Sequence, residues 1–430
     1  MERFIRRRKM IILYLFIIFL IGIPIAFSLG IISLVQIASD GYPLIVVIQR
    51  MFTGADSIAL TAIPLFILSG NLMYRGGMSK RIVDFADTLL GHLPSGLAMV
   101  SILACMFFAA ITGSAIAATA AIGGILIPLM VEKGYHKEFC APLLACGGSI
   151  GPIIPPSIPL LVYGTMANVS VGKLFIGGVF PGILMGISLI IYSYIVGKKR
   201  RYIGREKRAS LKDILKLGLN ASLSLLMPFI IIGGIMTGIF TPTESASIAV
   251  VYSIITGMFI YKELKIKDIW PVMVDTAKAT GQVLVVVAFA SLFTWVITVN
   301  NIPQSVGYIL QNTISTKIAL LLVINIILLI AGTFIDTTSA VVIFTPLFLP
   351  LVQHYGVDLV HFGLIMAVNL TIGMCTPPLG VCLFVSGSIA KVSLKSQFKD
   401  LIPMIFVLII VLLLVTFVPQ ITLILPNIFS

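Results

Sequence analysis

Apolar runs of membrane length dominate the chain, separated by short polar or basic stretches. The runs at 11–35, 58–74, 174–196, 217–240, 282–299 and 402–418 carry no charged residue. Each predicts a spanning helix, because about 20 apolar residues cross a hydrocarbon core of about 30 Å. Two further runs are interrupted near their middles. The first, 94–130, is broken by Thr112-Gly113-Ser114, and the second, 318–352, by a polar stretch from Thr333 to Ser339 that contains Asp336. An apolar segment with a small or polar centre predicts a re-entrant helical hairpin with its tip at membrane depth, two close ordinary spans being the alternative.

Two other runs, 139–164 and 362–389, each contain Pro-Pro, at Pro155-Pro156 and Pro377-Pro378. Proline lacks the amide hydrogen and its ring clashes with the preceding turn, so a helix unwinds there. Carbonyls and amides freed at membrane depth need protein cover or a cavity. Half-helices meeting at unwound backbone build substrate and cation sites in many secondary transporters. A bare kink is the other reading of each break.

The totals agree with a polytopic, all-α membrane protein. Of 430 residues, 59% are hydrophobic and 10% charged, with a mean hydropathy of +1.12, whereas soluble domains carry about 25% charge. The net charge of +13 does not point to nucleic acid, because the basic residues fall in the connections between apolar runs. That placement follows the positive-inside rule. The densest cluster, 198–216, holds nine Lys and Arg and forms a cytoplasmic connector suited to anionic headgroups. The basic start at 1–10 resembles a signal peptide, but the apolar run after it is too long for a signal core and predicts a first span starting in the cytoplasm. Threading the chain this way leaves Arg50, Lys173 and Lys317 as the outliers among 29 Lys and Arg. Neither the five cysteines nor the four histidines have metal-binding spacing. No HExxH, Ser/His pair or second buried aspartate suggests an enzyme.

A shift of 222 residues superposes two halves. It carries Pro128 onto Pro350, Gly151 onto Gly373, Pro155-Pro156 onto Pro377-Pro378, and Pro181 onto Pro403, while Ser114 falls on Asp336. Charge places the first hairpin's mouth inside and the second's outside, so the copies form an inverted-topology repeat. The first copy is 1–210, and the basic connector 198–216 overlaps its end; a linking span occupies 217–244, and the second copy is 245–430. Thr241-Pro242-Thr243-Glu244 reads as a capping box, which favours a structural role for Glu244 over ion coupling.

Asp336 is the acid placed deep in an apolar run. At a helix centre an ionisable group costs at least ~2.5 kcal/mol unless paired or hydrated. Cation ligation would offset that cost, and capping of the second arm is a compatible reading. Sodium favours hard oxygens, which unwound carbonyls and hydroxyls supply. Two equivalent clusters follow: Thr112 and Ser114 facing Gly151, Ile154 and Pro156, and Thr333 and Asp336 facing Gly373, Thr376 and Pro378. Half-helix N-termini at Ser157 and Leu379 would offer amides to an anionic substrate. The hairpins and broken helices contain no arginine, so such a substrate depends on amides, hydroxyls or bound cations.

These stretches resemble the DctM-like large membrane subunit of tripartite ATP-independent periplasmic (TRAP) transporters over essentially the whole chain. The resemblance is carried by AIPLFILSGNLM at 62–73, ITGSAIAATAAIG at 111–123, IGPIIPPSIPLLVYG at 150–164 and LFIGGVFPG at 174–182, then by TPTES at 241–245, GTFID at 332–336 and NLTIGMCTPPLG at 369–380. It implies sodium-coupled uptake of organic acids, such as C4-dicarboxylates or sialic acid, across a bacterial inner membrane by an elevator-type motion. It also implies a separate small membrane subunit and a periplasmic substrate-binding protein, with no cofactor beyond sodium as coupling ion. The ion ligands it implies are Thr112, Ser114, Gly151, Ile154 and Pro156 and, by symmetry, Asp336, Gly373, Thr376 and Pro378. Ala115 stands where the family often has a second serine, which removes one hydroxyl from the first cluster.

Overall fold

A computed structural model describes residue 18 and residues 21–205, 208–302 and 316–429. The basic start and most of the first half of the expected 11–35 span lie outside the described residues, as does Lys207 of the connector. Among the described residues the ordered elements are all helical, and nine helices are long and apolar enough to cross a membrane.

One group of helices packs around a long rod. α1 (Ile25–Ser39), α2 (Ile45–Ala55) and α3 (Ala62–Arg75) all pack on α12 (Ile266–Val299). α4 (Met78–Leu90) packs on α10 (Leu211–Met236), and α11 (Pro242–Ile254, continued by a π-helical turn, Ile255–Ile260) packs on α3 and α10. Helix α2 arises inside what the pattern marks as a polar connection. Its apolar face seats Val47 and Met51 against Leu292 and Val296, while Arg50 sits over the Trp295 ring at 5.6 Å.

Caps explain where the helices of this group begin. Thr241 Oγ1 accepts from the Glu244 amide, and Glu244 Oε2 accepts from the Thr241 amide at 2.7 Å, as the sequence motif requires. A second box at Ser210 and Asp213 starts α10 six residues before the expected span. Asp268 Oδ2 accepts from the Lys265 amide at 3.0 Å, so the charged stretch before residue 282 is helix rather than connection.

The second group contains the hairpins and the breaks. α5 (Gly96–Thr112) and α6 (Ala115–Glu132) are packed arms joined at Gly113-Ser114. α13 (Lys317–Phe334) and α14 (Thr337–His354) are joined at Ile335-Asp336. The broken helices are α7 (Lys137–Gly148) with α8 (Ile158–Ala167), and α15 (Leu359–Gly373) with α16 (Val381–Ala390). Both Pro-Pro bonds are cis. The segments 139–148 and 360–373 are buried at every position, so α7 and α15 form the centre of the molecule.

The two halves exchange their trailing half-helices. α8 packs on α14, whereas α16 packs on α6 and α7. Spans α9 (Val171–Arg200) and α17 (Leu394–Phe417) flank this core, and α18 (Gln420–Ile428) closes against α9. At one end Arg200 grips both carboxylate oxygens of Asp400 and lies 5.4 Å from the Phe139 ring, which ties α9, α17 and α7 together.

Candidate functional site: hairpin tips on broken helices

Each hairpin tip rests on the break of its own half. At the first, Gly113 takes φ +60°, and a Cβ there would strike the Pro156 carbonyl oxygen. Only glycine meets both demands. A Cβ on Gly151 would come within 2.8 Å of the Ser114 carbonyl, so the tip lies directly over unwound backbone. At the second, the Gly380 amide donates to the Thr333 carbonyl at 3.1 Å, and Thr337 Oγ1 donates to Met374 Sδ at 3.0 Å. A Cβ on Gly373 would meet Gly332 backbone. The two breaks themselves adjoin, with Cys375 Sγ 3.9 Å from Ser149 Oγ.

The tips begin their second arms with matched caps. Ser114 Oγ accepts from the Ala117 amide at 3.4 Å. Asp336 Oδ1 accepts from the Thr338 and Ser339 amides at 3.0 and 3.1 Å. Both cap bonds fall on Oδ1, which leaves Oδ2 without a protein partner among the described residues. The threonine hydroxyls donate to their own helices: Thr112 to Phe108 O, Thr333 to Ile330 O and Thr376 to Ile372 O. Their protons are committed, and their oxygen lone pairs are the part free to ligate.

Both tips open into one cavity of about 820 Å³ between the hairpin core and the α12 group. Thr112, Ser114 and Asp336 line it; Gly151, Ile154, Pro156, Thr333, Gly373, Thr376 and Pro378 do not. Ile154 is held against Gly182 of α9.

The anion-site expectations divide. Ser157 is the N-cap of α8, but it is buried, accepts from the Leu160 amide and donates to the Pro152 carbonyl. Leu379 needs correction. The second half-helix starts at Val381 with Gly380 as N-cap at φ +60°, and Leu379 is 40% exposed in the loop before it. The one extra loop residue lets the Gly380 amide reach Thr333 instead of opening the helix at Leu379.

The opposite wall holds residues that the sequence reading passed over. Asn71 of α3 and Asp275 and Gln282 of α12 face the same cavity, and Asn71 Nδ2 donates to Thr276 Oγ1 at 3.0 Å. Spacing was the available signal: Asp275, Ala279, Gln282 and Val286 recur at helical intervals once α12 is extended back through its charged start. The ionisable groups lining the cavity are Asp275 and Asp336, and no Lys, Arg or His lines it among the described residues. No three His, Cys, Asp or Glu side chains gather there or elsewhere among those residues. Such a lining offers oxygen donors, hydroxyls and two carboxylates, with no positive side chain among the described residues.

Interrupted helices, paired tips and a shared cavity inside a polytopic all-helical body define a membrane transporter. Two solved transporters share the fold: YdaH of Alcanivorax borkumensis (TM-score 0.62, 14% identity, 86% of each chain) and MtrF of Neisseria gonorrhoeae (0.57, 13%, 89% and 83%). The profile of the tripartite ATP-independent periplasmic transporter DctM component matches residues 12–421, and the chain belongs to that family of large permease subunits. It is 44% identical over 409 residues to an isethionate TRAP permease, DctMQ, of Oleidesulfovibrio alaskensis, covering 95% of this chain and 64% of that longer protein. It is also 39% identical to the C4-dicarboxylate permease DctM of Pseudomonas aeruginosa (88% of each chain). Identity to the sialic acid permease SiaM of Vibrio cholerae is 36% (95% and 96%).

Proposed function

We propose that the chain is the large membrane subunit of a sodium-coupled importer of organic acids. A small membrane subunit and a soluble periplasmic binding protein complete the transporter in the inner membrane. The observation that carries this reading is the shared cavity. Two hairpin tips, each seated on unwound backbone, open into it, and its ionisable lining is entirely acidic. Like charges 4 Å apart repel by about 1 kcal/mol in water and about 4 kcal/mol at an effective dielectric of 20. An organic anion is therefore poorly accommodated beside a bare Asp336 and well accommodated once a cation sits on its Oδ2. Coupling follows from that order. The substrates in the relatives' names, isethionate, C4-dicarboxylates and sialic acid, all carry an acidic group.

The two sites of this reading are Thr112, Ser114, Gly151, Ile154 and Pro156, and Thr333, Asp336, Gly373, Thr376 and Pro378, each holding Na⁺ between tip and break. The inverted repeat supplies alternation, because two oppositely oriented copies give the same site two exits. The cavity also touches Pro24–Phe27 at the start of α1 and 275–286 of α12.

Uptake into proteoliposomes tests the proposal. Accumulation should require an inward sodium gradient, the small subunit and the cognate binding protein together. Uptake without the binder would indicate a stand-alone sodium/anion symporter, and flux that outruns turnover-limited exchange would indicate a channel.

A further inference from the structure

We infer that Asp275 of α12 is a positioning charge for the coupling ion: it holds cations in the cavity while the anionic cargo leaves. The inference rests on the sodium-coupled reading above. Asp275 lines the cavity from the wall opposite Asp336, so the two carboxylates bracket the space through which cargo passes. No basic side chain lines that space among the described residues. Lys278, one turn along the same helix, is exposed but is not part of the lining, and it makes no ion pair with Asp275.

Asp275 is exposed and has no cap or hydrogen-bond duty among the described residues; the buried neighbour Thr276 makes the contact to α3. A solvated carboxylate at the cavity wall makes the local potential negative, which draws cations in and drives anions out. With Asp336 loaded, the cargo sits between a neutralised wall and a bare one. The bare side, Asp275, favours loss of the anion first and retention of the cation until last. Because the charge is solvated, the effect is modest and sensitive to salt.

The test is equilibrium binding of radioactive Na⁺ to the full-length chain in nanodiscs at low ionic strength. Asp275→Asn should raise the half-saturating Na⁺ concentration about two- to fivefold, the scale of an exposed charge interaction. Asp275→Glu should leave it near the wild-type value, and adding 0.5 M choline chloride, about five times the salt that sets a 10 Å Debye length, should erase the difference. Equal shifts in the Asn and Glu variants, or a shift that persists in choline chloride, would show a structural role and overturn the inference. Unchanged binding by Asp275→Asn beside saturable wild-type binding would also overturn it, with the parent reading intact. Absence of saturable binding by the wild type would overturn the parent reading and this inference with it.

Discussion

The amide of Gly380 donates to the carbonyl of Thr333 across 3.1 Å, joining the second break to the second hairpin tip. This bond uses backbone groups that an intact helix would have consumed internally. It makes tip and break one unit. The first half reaches the same end by contact, with Gly113 against Pro156 and Gly151 against Ser114.

The glycines at these contacts should not tolerate a methyl group. Gly373→Ala would place a Cβ into Gly332 backbone, where no side chain can swing aside. The expected cost is about 1–3 kcal/mol of stability, with loss of uptake. Gly233→Ala in α10 meets nothing within 4 Å and should stabilise its helix by about 0.5–1 kcal/mol. Thermal unfolding in detergent, read for both variants, checks the contrast.

Arg200 and Asp400 should act as a clamp on the core. The Asp400 side chain is 9% exposed and that of Arg200 is 29%. Removing the carboxylate with Asp400→Ala leaves the guanidinium partly desolvated, costing about 1–3 kcal/mol, toward the lower end because the arginine keeps some water. Arg200→Lys should recover only part of the wild-type stability, since an ammonium cannot reproduce the two-pronged bond. The melting temperatures of the three proteins decide this.

The proposed opposite orientation of the hairpins predicts opposite labelling. Lys133 follows the first hairpin's second arm and Gln353 lies in the last turn of the second's, and both are exposed. The five native cysteines are buried and free, so background should be low. An impermeant maleimide added outside intact spheroplasts should label Gln353→Cys and spare Lys133→Cys until the membrane is opened. Labelling of both from outside would rule out the inverted arrangement.

Much of this was legible in the sequence because prolines and short polar stretches are conspicuous in apolar runs. The tips at Ser114 and Asp336, the breaks at both Pro-Pro pairs and the Thr241–Glu244 cap are all local signals. What was missed depends on neighbours. Helix α2 and the first half of α12 look like charged connections until α12 covers one face of the former and α3 one face of the latter. Asp275 was overlooked for that reason, since its meaning comes from the opposite wall. Leu379 was placed at a helix start by analogy with Ser157, but Gly380 can adopt a left-handed backbone and the loop extends one residue further.

The central claim is that the Asp336 carboxylate is a cation ligand rather than a cap alone. Asp336→Asn separates the two, because the asparagine oxygen can still accept from the Thr338 and Ser339 amides while the charge is gone. The decisive measurement is the sodium dependence of uptake for Asp336→Asn beside Glu244→Gln, whose carboxylate caps an exposed helix start. The account predicts a rise in half-saturating sodium of about tenfold or more for the first, a change of about 1.4 kcal/mol, and little change for the second. Equal and small shifts in the two variants would contradict it.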